Sequence, residues 1–351
     1  MRTSTKIQLT LLDNLVWVLL AIFFVFNVFV TPSFFTPKNM INILFQSSLL
    51  GMLVLAQGIV LMVGELDLSL DATLAFAPCA TILFANSMGG MNPWLCLLMT
   101  LAIGALIGLF SGTIVSKLKA NSFLLTMSMQ IIMRGMVLFL VPFSLTGLDE
   151  VYSFLGRGRI GSIPFAVFVF LIIFLIFEWI FRKTIFGRKF KLTGGNRQAS
   201  FIAGINTDKV VIRAFVLAGI LAATAGLIAA GRQNSISNTM GNNLVTFSIA
   251  GAILGGCSFS GGVGKPIGML GGALFLGMVD NSLTLLNVDV NLVAATKGAL
   301  IFLAIILDRV RVKYSAQLMY KENLRKLEQN KNTSEPGADT FITRGSLPEA
   351  A

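Results

Sequence analysis

Histidine is absent from the 351 residues, cysteine occurs only three times, and only 12% of the residues are charged. Without histidine the chain has no histidine metal ligand, no histidine general base and no Ser-His-Asp triad. The three cysteines lie in apolar runs without CxxC spacing, which argues against a zinc site and a disulfide framework. Because a soluble domain carries about 25% charged residues, a single water-soluble core is excluded.

Long apolar runs take the place of the missing charge, and hydrophobic residues make up 55% of the chain. A membrane-spanning helix needs about 20 mostly apolar residues. The candidate runs are 13–31, 46–63, 68–86, 93–116, 121–142, 163–181, 210–230, 244–257, 266–286 and 290–307. The first run is too long for a signal peptide and lacks a small-residue cleavage site, so we interpret it as a retained helix. The prediction is an all-α polytopic membrane protein with about ten transmembrane helices.

The basic residues are distributed unevenly around these spans. If the N-terminus is cytoplasmic, most of the 27 lysines and arginines fall on the inside, with the largest internal loop at residues 182–209. This pattern follows the positive-inside rule and predicts that both termini are cytoplasmic. The predicted organisation is a cytoplasmic N-terminus (1–12), a transmembrane domain (13–313) and a partly disordered cytoplasmic tail (314–351). The net charge of +11 is then mostly a topology signal, and no soluble basic face remains to bind nucleic acid.

The two halves of the chain share a sequence pattern. A basic residue and a glycine precede Phe-Leu with identical spacing at 134–140 and at 297–303. Upstream, Gly104 and Gly108 resemble Gly268 and Gly272. A shift of five spans would make the two copies face opposite ways, which predicts an inverted repeat of the kind typical of transporters. The spacing of these glycines also predicts close helix packing.

The charged residues Arg134, Asp280 and Lys297 lie well inside predicted spans. Ionisable groups at membrane depth are costly and are therefore functional candidates. Asp280 and Lys297 lie at equal distances from the turn of one predicted hairpin. We expect these two residues to form an ion pair.

Glu65, Asp67 and Asp71 cluster between the second and third spans. Asp67 or Ser69 could cap the following helix by accepting its free amide hydrogens. The same acids could instead serve packing or gating, or couple a cation to transport. The residues alone leave these alternatives open.

The internal loop at 182–209 has a basic start and a short apolar segment. Asn196 suits a helix N-cap, and residues 197–203 predict a short helix that exposes Phe201 and Ile202 before Gly204 ends it. One interpretation is a basic loop against anionic lipid headgroups. The other is a docking segment for a cytosolic partner.

Two glycine-rich segments resemble nucleotide-binding motifs but lack features that those motifs require. Residues 261–266 resemble the end of a phosphate loop, but Phe259 stands at the first glycine position and Pro266 replaces the Ser or Thr that would bind magnesium. The GxGxxG at 156–161 has no preceding strand. If the protein pumps, another chain supplies the energy.

Three segments make the sequence recognisable: Leu192-Thr193-Gly194-Gly195-Asn196 with Ala203-Gly204-Ile205, the glycine-rich stretch 250–264, and Glu65-Leu66-Asp67-Leu68-Ser69. Asn121, Phe123, Thr126, Arg134 and Lys297 match as well. Over about residues 12–310 the chain resembles the permease subunits of simple-sugar ABC importers, such as those for ribose, galactose and xylose.

The resemblance implies a transport subunit of the bacterial cytoplasmic membrane, not an enzyme, with no cofactor or metal of its own. It further implies an ABC ATPase, an extracytoplasmic sugar-binding protein and a second permease subunit as partners. The residues carried over to the ATPase-coupling loop are Gly194, Gly195, Asn196, Ala203 and Gly204, and those of the glycine-rich motif are Gly255, Gly256, Gly261, Gly262 and Gly264. Candidates for the translocation path are Asn121, Phe123, Glu65 and Asp67.

The chain departs from the family pattern at Glu65-Leu66, where relatives usually have Gly-Ile or Gly-Thr. It also departs at Asp280, where they commonly have Asn, and at Cys257, where they commonly have Thr or Val. These departures leave the transported sugar open. A nucleoside permease of the wider superfamily is one alternative. An ion-coupled secondary transporter that uses Glu65, Asp67 or Asp280 is another.

Overall fold

The computed structural model describes residues 14–289 and scattered positions between 292 and 327. The chain divides into two units, Asn14–Asp308 and a second unit of Met1–Asp13 with Arg309–Ala351, and the elements below belong to the first. The elements are α1 (Leu15–Val30), α2 (Pro37–Met62), α3 (Leu70–Ser87), α4 (Pro93–Lys117), α5 (Ser122–Leu140), β1 (Ser144–Thr146), α6 (Glu150–Arg157), β2 (Arg159–Ile160), β3 (Ile163–Pro164), α7 (Phe165–Lys183), α8 (Ile185–Gly195), α9 (Arg197–Ile202), α10 (Thr207–Gln233), β4 (Ser235–Ser237), α11 (Leu244–Leu254) and α12 (Pro266–Leu285).

Seven of the described helices are long and apolar enough to cross a membrane: α2, α3, α4, α5, α7, α10 and α12. Helices α1 and α11 are apolar but shorter, with 16 and 11 residues. The tenth predicted span, 290–307, lies partly outside the described residues. The chain is therefore a mainly helical polytopic protein.

The all-α prediction missed four short strands in the loops. β1 pairs antiparallel with β4, and β2 pairs antiparallel with β3. These strands have only two or three residues each, too few to show a period in the sequence. They give loop backbone groups hydrogen-bond partners near the helix ends.

Helix α2 begins nine residues before the apolar run that predicted it. Pro37 occupies the first turn, where it costs no hydrogen bond. Thr36 caps the helix, its hydroxyl oxygen accepting from the Asn39 amide at 3.3 Å. Hydropathy hides this turn because Lys38, Asn39 and Asn42 are polar, so capping rather than hydrophobicity sets the helix start.

Helices α2 and α10 pack against each other and are the most buried of the seven candidate spans. Helix α4 covers α10, and α12 covers α2. Glycine permits the closest of these approaches: a β-carbon at Gly104 would strike the Gly219 carbonyl oxygen, and one at Gly108 would strike that of Phe215. The predicted packing role of these glycines is confirmed.

The internal loop contains two helices, of which the sequence predicted one. Helix α9 lies where residues 197–203 predicted it. Helix α8 was missed because its basic residues obscure a short aromatic face. Phe186 and Phe190 lie on that face and pack edge-on against Phe181 of α7, with ring centroids 6.1 and 5.2 Å away.

Candidate coupling site and translocation path

The end of α8 and two loops meet almost entirely through backbone atoms at a glycine junction formed by Gly64, Gly194, Gly261 and Gly262. Gly64, Gly261 and Gly262 have φ values of +81°, +83° and +76°, which side-chain-bearing residues rarely adopt. A β-carbon at Gly261 would lie 2.7 Å from the Gly194 carbonyl oxygen. The Gly262 amide donates to the Met62 carbonyl at 3.1 Å. The end of α8 is therefore held directly against the end of α2.

The remaining glycines of the glycine-rich motif lie at three different positions. Gly255 ends α11 and packs against Gly268 of α12, so that a β-carbon there would lie 2.6 Å from the Gly268 carbonyl oxygen. Gly256 has φ +89° and turns the chain away from α11. Gly264 faces the Met62 side chain. In the glycine-rich motif, Gly255 thus permits a helix crossing, Gly256 forms a turn, and Gly261 and Gly262 form the glycine junction.

The coupling segment, α8 and α9 with the residues that end them, presents an apolar tip. The Asn196 side-chain oxygen accepts from the Ala199 amide at 2.8 Å, as the N-cap prediction requires. Ala203 closes α9, and Gly204 follows with φ +81°. Phe201 and Ile202 are 69% and 79% exposed. The short helix and its exposed residues are confirmed.

An ion network, made of Glu65, Arg197, Asp208 and Lys119, joins α9 to the loops before α3 and α5 and to the first turn of α10. The Arg197 guanidinium lies 3.1 Å from Glu65 and 3.1 Å from Asp208, and Lys119 lies 2.9 Å from Asp208. Burial raises the pKa of Glu65, while the Ser122 hydrogen bond and the charge of Arg197 oppose that rise. Since Arg197 and Asp208 are partly exposed, each of these pairs contributes at most about 1 kcal/mol.

Three of the four candidates for the translocation path line one pocket. Glu65, Asn121 and Phe123 meet there with Phe259 of the glycine-rich stretch 250–264, around a volume of about 290 Å³. The Asn121 side-chain oxygen also accepts from the Leu124 amide at 3.2 Å, which caps α5. The ion network and the pocket therefore share Glu65.

The fourth candidate, Asp67, is buried and lies outside the lining of that pocket. Its Oδ1 accepts from the Ser69 amide at 2.9 Å and from the Ser69 hydroxyl at 2.5 Å, at the start of α3. Burial raises the pKa of Asp67 to about 6, against these two hydrogen bonds. Asp67 thus binds the amide of the N-cap residue Ser69, whereas the Ser69 side chain makes no capping bond to α3, so the capping alternative is met only in part.

Arg134 pairs with Asp71, a contact that the sequence left unassigned. The guanidinium lies 3.5 Å from the Asp71 carboxylate, and it donates to the main-chain oxygens of Asp71 and Met240 at 2.9 and 2.7 Å. Gln130 donates to the same carboxylate at 2.9 Å. These bonds tie α5 to α3 and to the loop before α11.

The expected Asp280–Lys297 pair lies outside the described residues, because Lys297 is not among them. Asp280 itself lines a cavity with Arg232, near the end of α10 remote from the coupling segment.

Glu65, Asp67 and Asp71 do not form a common site, because each binds a different partner. Among the described residues no three His, Cys, Asp or Glu side chains come together as a metal site would require.

Sequence reasoning missed Arg197, Asp208, Lys119 and Gly64 as parts of this site. Arg197 directly follows the capping Asn196, and Gly64 directly precedes Glu65, where the chain departs from the family pattern. Only these neighbours in the sequence could have drawn attention to Arg197 and Gly64. They did not show that segments near positions 64, 120, 197 and 208 converge.

The structure combines an apolar helical body with one short exposed helix, α9, which backbone contacts and an ion network link to that body. The family described as branched-chain amino acid transport system / permease component matches residues 39–307. The chain belongs to this family. The family match thus covers most of the unit Asn14–Asp308.

Three relatives illustrate the similarity. The ribose import permease protein RbsC of Escherichia coli strain K12 is 34% identical over 285 residues, which cover 79% of this chain and 88% of RbsC. The L-arabinose ABC transporter permease protein AraH of Azospirillum brasilense is 29% identical over 307 residues, 87% and 89% of the two chains. The galactose/methyl galactoside import permease protein MglC of E. coli K12 is 29% identical over 314 residues, 84% and 94%.

The resemblance inferred from the motifs is confirmed. An import permease component is a transport subunit of the bacterial inner membrane, not an enzyme, and a separate ATPase hydrolyses ATP. The family also implies a periplasmic binding protein as a partner. These relatives favour neither the nucleoside permease nor the ion-coupled secondary transporter.

Proposed function

We propose that this chain is the permease subunit of an ATP-driven importer for a simple sugar, a pentose or hexose. The observation that carries the proposal is its 34% identity to a ribose import permease over most of both chains. The arabinose and galactose permeases extend the same substrate class. The family description names branched-chain amino acids, so leucine is the informative control substrate.

In this proposal α9 docks on the ATPase through Phe201 and Ile202, which are exposed at the tip of the coupling segment. Movement of α9 passes to α2 through the glycine junction and to the loop before α3 through Arg197 and Glu65. Backbone contacts suit this task because they contain no flexible side chains. The pocket that contains Glu65, Asn121 and Phe123 would then open and close with the coupling segment.

We also propose ten spans, an inverted repeat and two cytoplasmic termini, with a permease domain of 13–313 and a tail of 314–351. The packing supports the repeat: α4 on α10 corresponds to α12 on α2, and α3 on α10 corresponds to α11 on α2, each after a shift of five spans. The charge distribution supports the orientation. Two copies, or this chain with a paralogue, would enclose the path in a lipid bilayer.

Reconstitution of the permease with its ATPase and binding protein in proteoliposomes tests the proposal. We expect ATP-dependent uptake of at least one of ribose, arabinose and galactose, and none of leucine or a nucleoside. Omission of the ATPase should abolish uptake. Sugar uptake driven by a proton or sodium gradient without the ATPase would contradict the proposal.

Charge reversal tests the link between Glu65 and Arg197. Glu65→Arg places two guanidinium groups together and should lower ATP-driven uptake, whereas adding Arg197→Glu should restore part of it. Since the pair is partly exposed, we expect a coupling energy of about 0.5–1 kcal/mol in a double-mutant cycle on thermal unfolding. Recovery should be incomplete because Asp208 also loses its arginine. Additive effects of the two substitutions would disprove the link.

A further inference from the structure

A cavity of about 250 Å³ lies among α2, α10, α11 and α12, and Leu300 of the tenth predicted span also lines it. It is lined by Arg232 near the end of α10, whereas Asp208 of the ion network lies at the start of the same helix. The 24-residue separation corresponds to about 36 Å at 1.5 Å per residue. The cavity is thus on the side remote from the coupling segment, where the topology places the binding protein.

The lining combines a few polar groups with a mostly apolar wall. Gln46, Arg232 and Asp280 supply an amide, a guanidinium and a carboxylate, and Phe247 supplies an aromatic ring. The Gln46 Oε1 is buried and accepts no hydrogen bond from the residues that the structure describes. Such an atom is costly to leave without a partner, and a rotation of the Gln46 side chain into the cavity would let a ligand hydroxyl satisfy it.

The chemistry of the lining selects a class of ligand. A monosaccharide presents hydroxyl groups at its edge and C–H groups on its faces, which suit the three polar side chains and the Phe247 ring. A phosphate-bearing headgroup fits less well, because the Asp280 carboxylate lies in the same cavity as the Arg232 guanidinium and would repel it. The volume is below the range of about 300–1,000 Å³ of pockets for drug-sized ligands, as a small sugar requires.

We infer that this cavity is a monosaccharide-binding subsite, which receives the sugar after release from the binding protein and in which Asp280 sets specificity. The inference rests on the proposed function and adds to it the residues that contact the sugar. It also gives a role to Asp280, one of the departures from the family pattern.

Saturation-transfer difference NMR on the whole permease in lipid nanodiscs tests the subsite, with ribose, arabinose, galactose and leucine as probes. The variants are Asp280→Asn and Gln46→Leu, and each is first checked for a monodisperse, cooperatively unfolding protein. Asp149→Asn is the matched control, since it makes the same change at the start of α6, where an asparagine can still cap the helix. The maximal uptake rate, at saturating binding protein, is measured in parallel in proteoliposomes.

Loss of a hydrogen bond to a charged or buried group should weaken sugar binding about tenfold. We therefore expect Gln46→Leu to lose most of the sugar signal and to slow uptake. Asp280→Asn, which installs the residue common in relatives, should change the ranking of the three sugars, and Asp149→Asn should change neither. Sugar signals of unchanged size and ranking in the two folded variants would overturn the subsite, as would a leucine signal that the variants remove. If the wild-type complex takes up none of the sugars, the proposed function fails instead, so the two failures are distinguishable.

Discussion

Gly194→Ala is expected to abolish ATP-driven uptake, or to reduce it at least about tenfold, while Gly195→Ala leaves it close to normal. A β-carbon at Gly194 would strike the Met62 carbonyl oxygen and lie 2.6 Å from the Gly262 nitrogen. It would thus enter the hydrogen bond between these two groups. Overpacking of this kind costs about 1–3 kcal/mol or displaces the backbone, and here the displaced element is the coupling segment.

The neighbouring glycine provides the control. No heavy atom of the residues that the structure describes lies within 4 Å of a β-carbon at Gly195. The two variants therefore differ in steric contact, although they are adjacent in one motif. Uptake and ATP hydrolysis are measured together, because a displaced coupling segment should lower sugar transported per ATP hydrolysed. Equal activity of the two variants would show that the glycine junction does not transmit movement.

Arg134→Met is expected to destabilise the membrane body by about 3–5 kcal/mol, because it leaves a buried carboxylate without its cation. Asp71 is 1% exposed and would retain the Gln130 hydrogen bond. The Met240 carbonyl would lose its donor as well. Thermal unfolding in detergent measures the loss, and uptake should fall with the amount of folded protein.

Two further variants separate pairing from loss of charge. Adding Asp71→Leu to Arg134→Met removes the orphaned carboxylate and should recover part of the stability. Arg213→Met makes the same substitution at an exposed position of α10 and should change stability by less than about 0.5 kcal/mol. If Arg213→Met proves as destabilising as Arg134→Met, the ion pair with Asp71 does not account for the effect.

Sequence patterns predicted those features that depend on neighbouring residues. The apolar runs located nine helices, because burial in lipid requires about 20 apolar residues in succession. Asn196 and Gly204 located both ends of α9, since a cap and a left-handed turn are local devices. Hydropathy placed the start of α2 too late because its first turn is polar, and it missed α8 because that helix is short and basic.

The candidate site was predicted only in pieces. The motif resemblance selected Gly194, Gly261 and Gly262, but it gave no reason why glycine was required at these positions. The structure supplies one: the residues meet backbone to backbone, and two of them have positive φ. Likewise, the sequence showed that Glu65 departs from the family pattern but not what it binds. The structure places the Arg197 guanidinium 3.1 Å from it.

The sequence by itself determined that this protein is a polytopic membrane permease, because apolar length, basic asymmetry and two glycine-rich motifs are encoded within short segments. Only the tertiary structure decided which charges pair and which loops touch. Asp71 and Arg134 are 63 residues apart, and Glu65 and Arg197 are 132 apart. Partners at such separations depend on how α2, α3, α5 and α10 pack, and no local pattern specifies that arrangement.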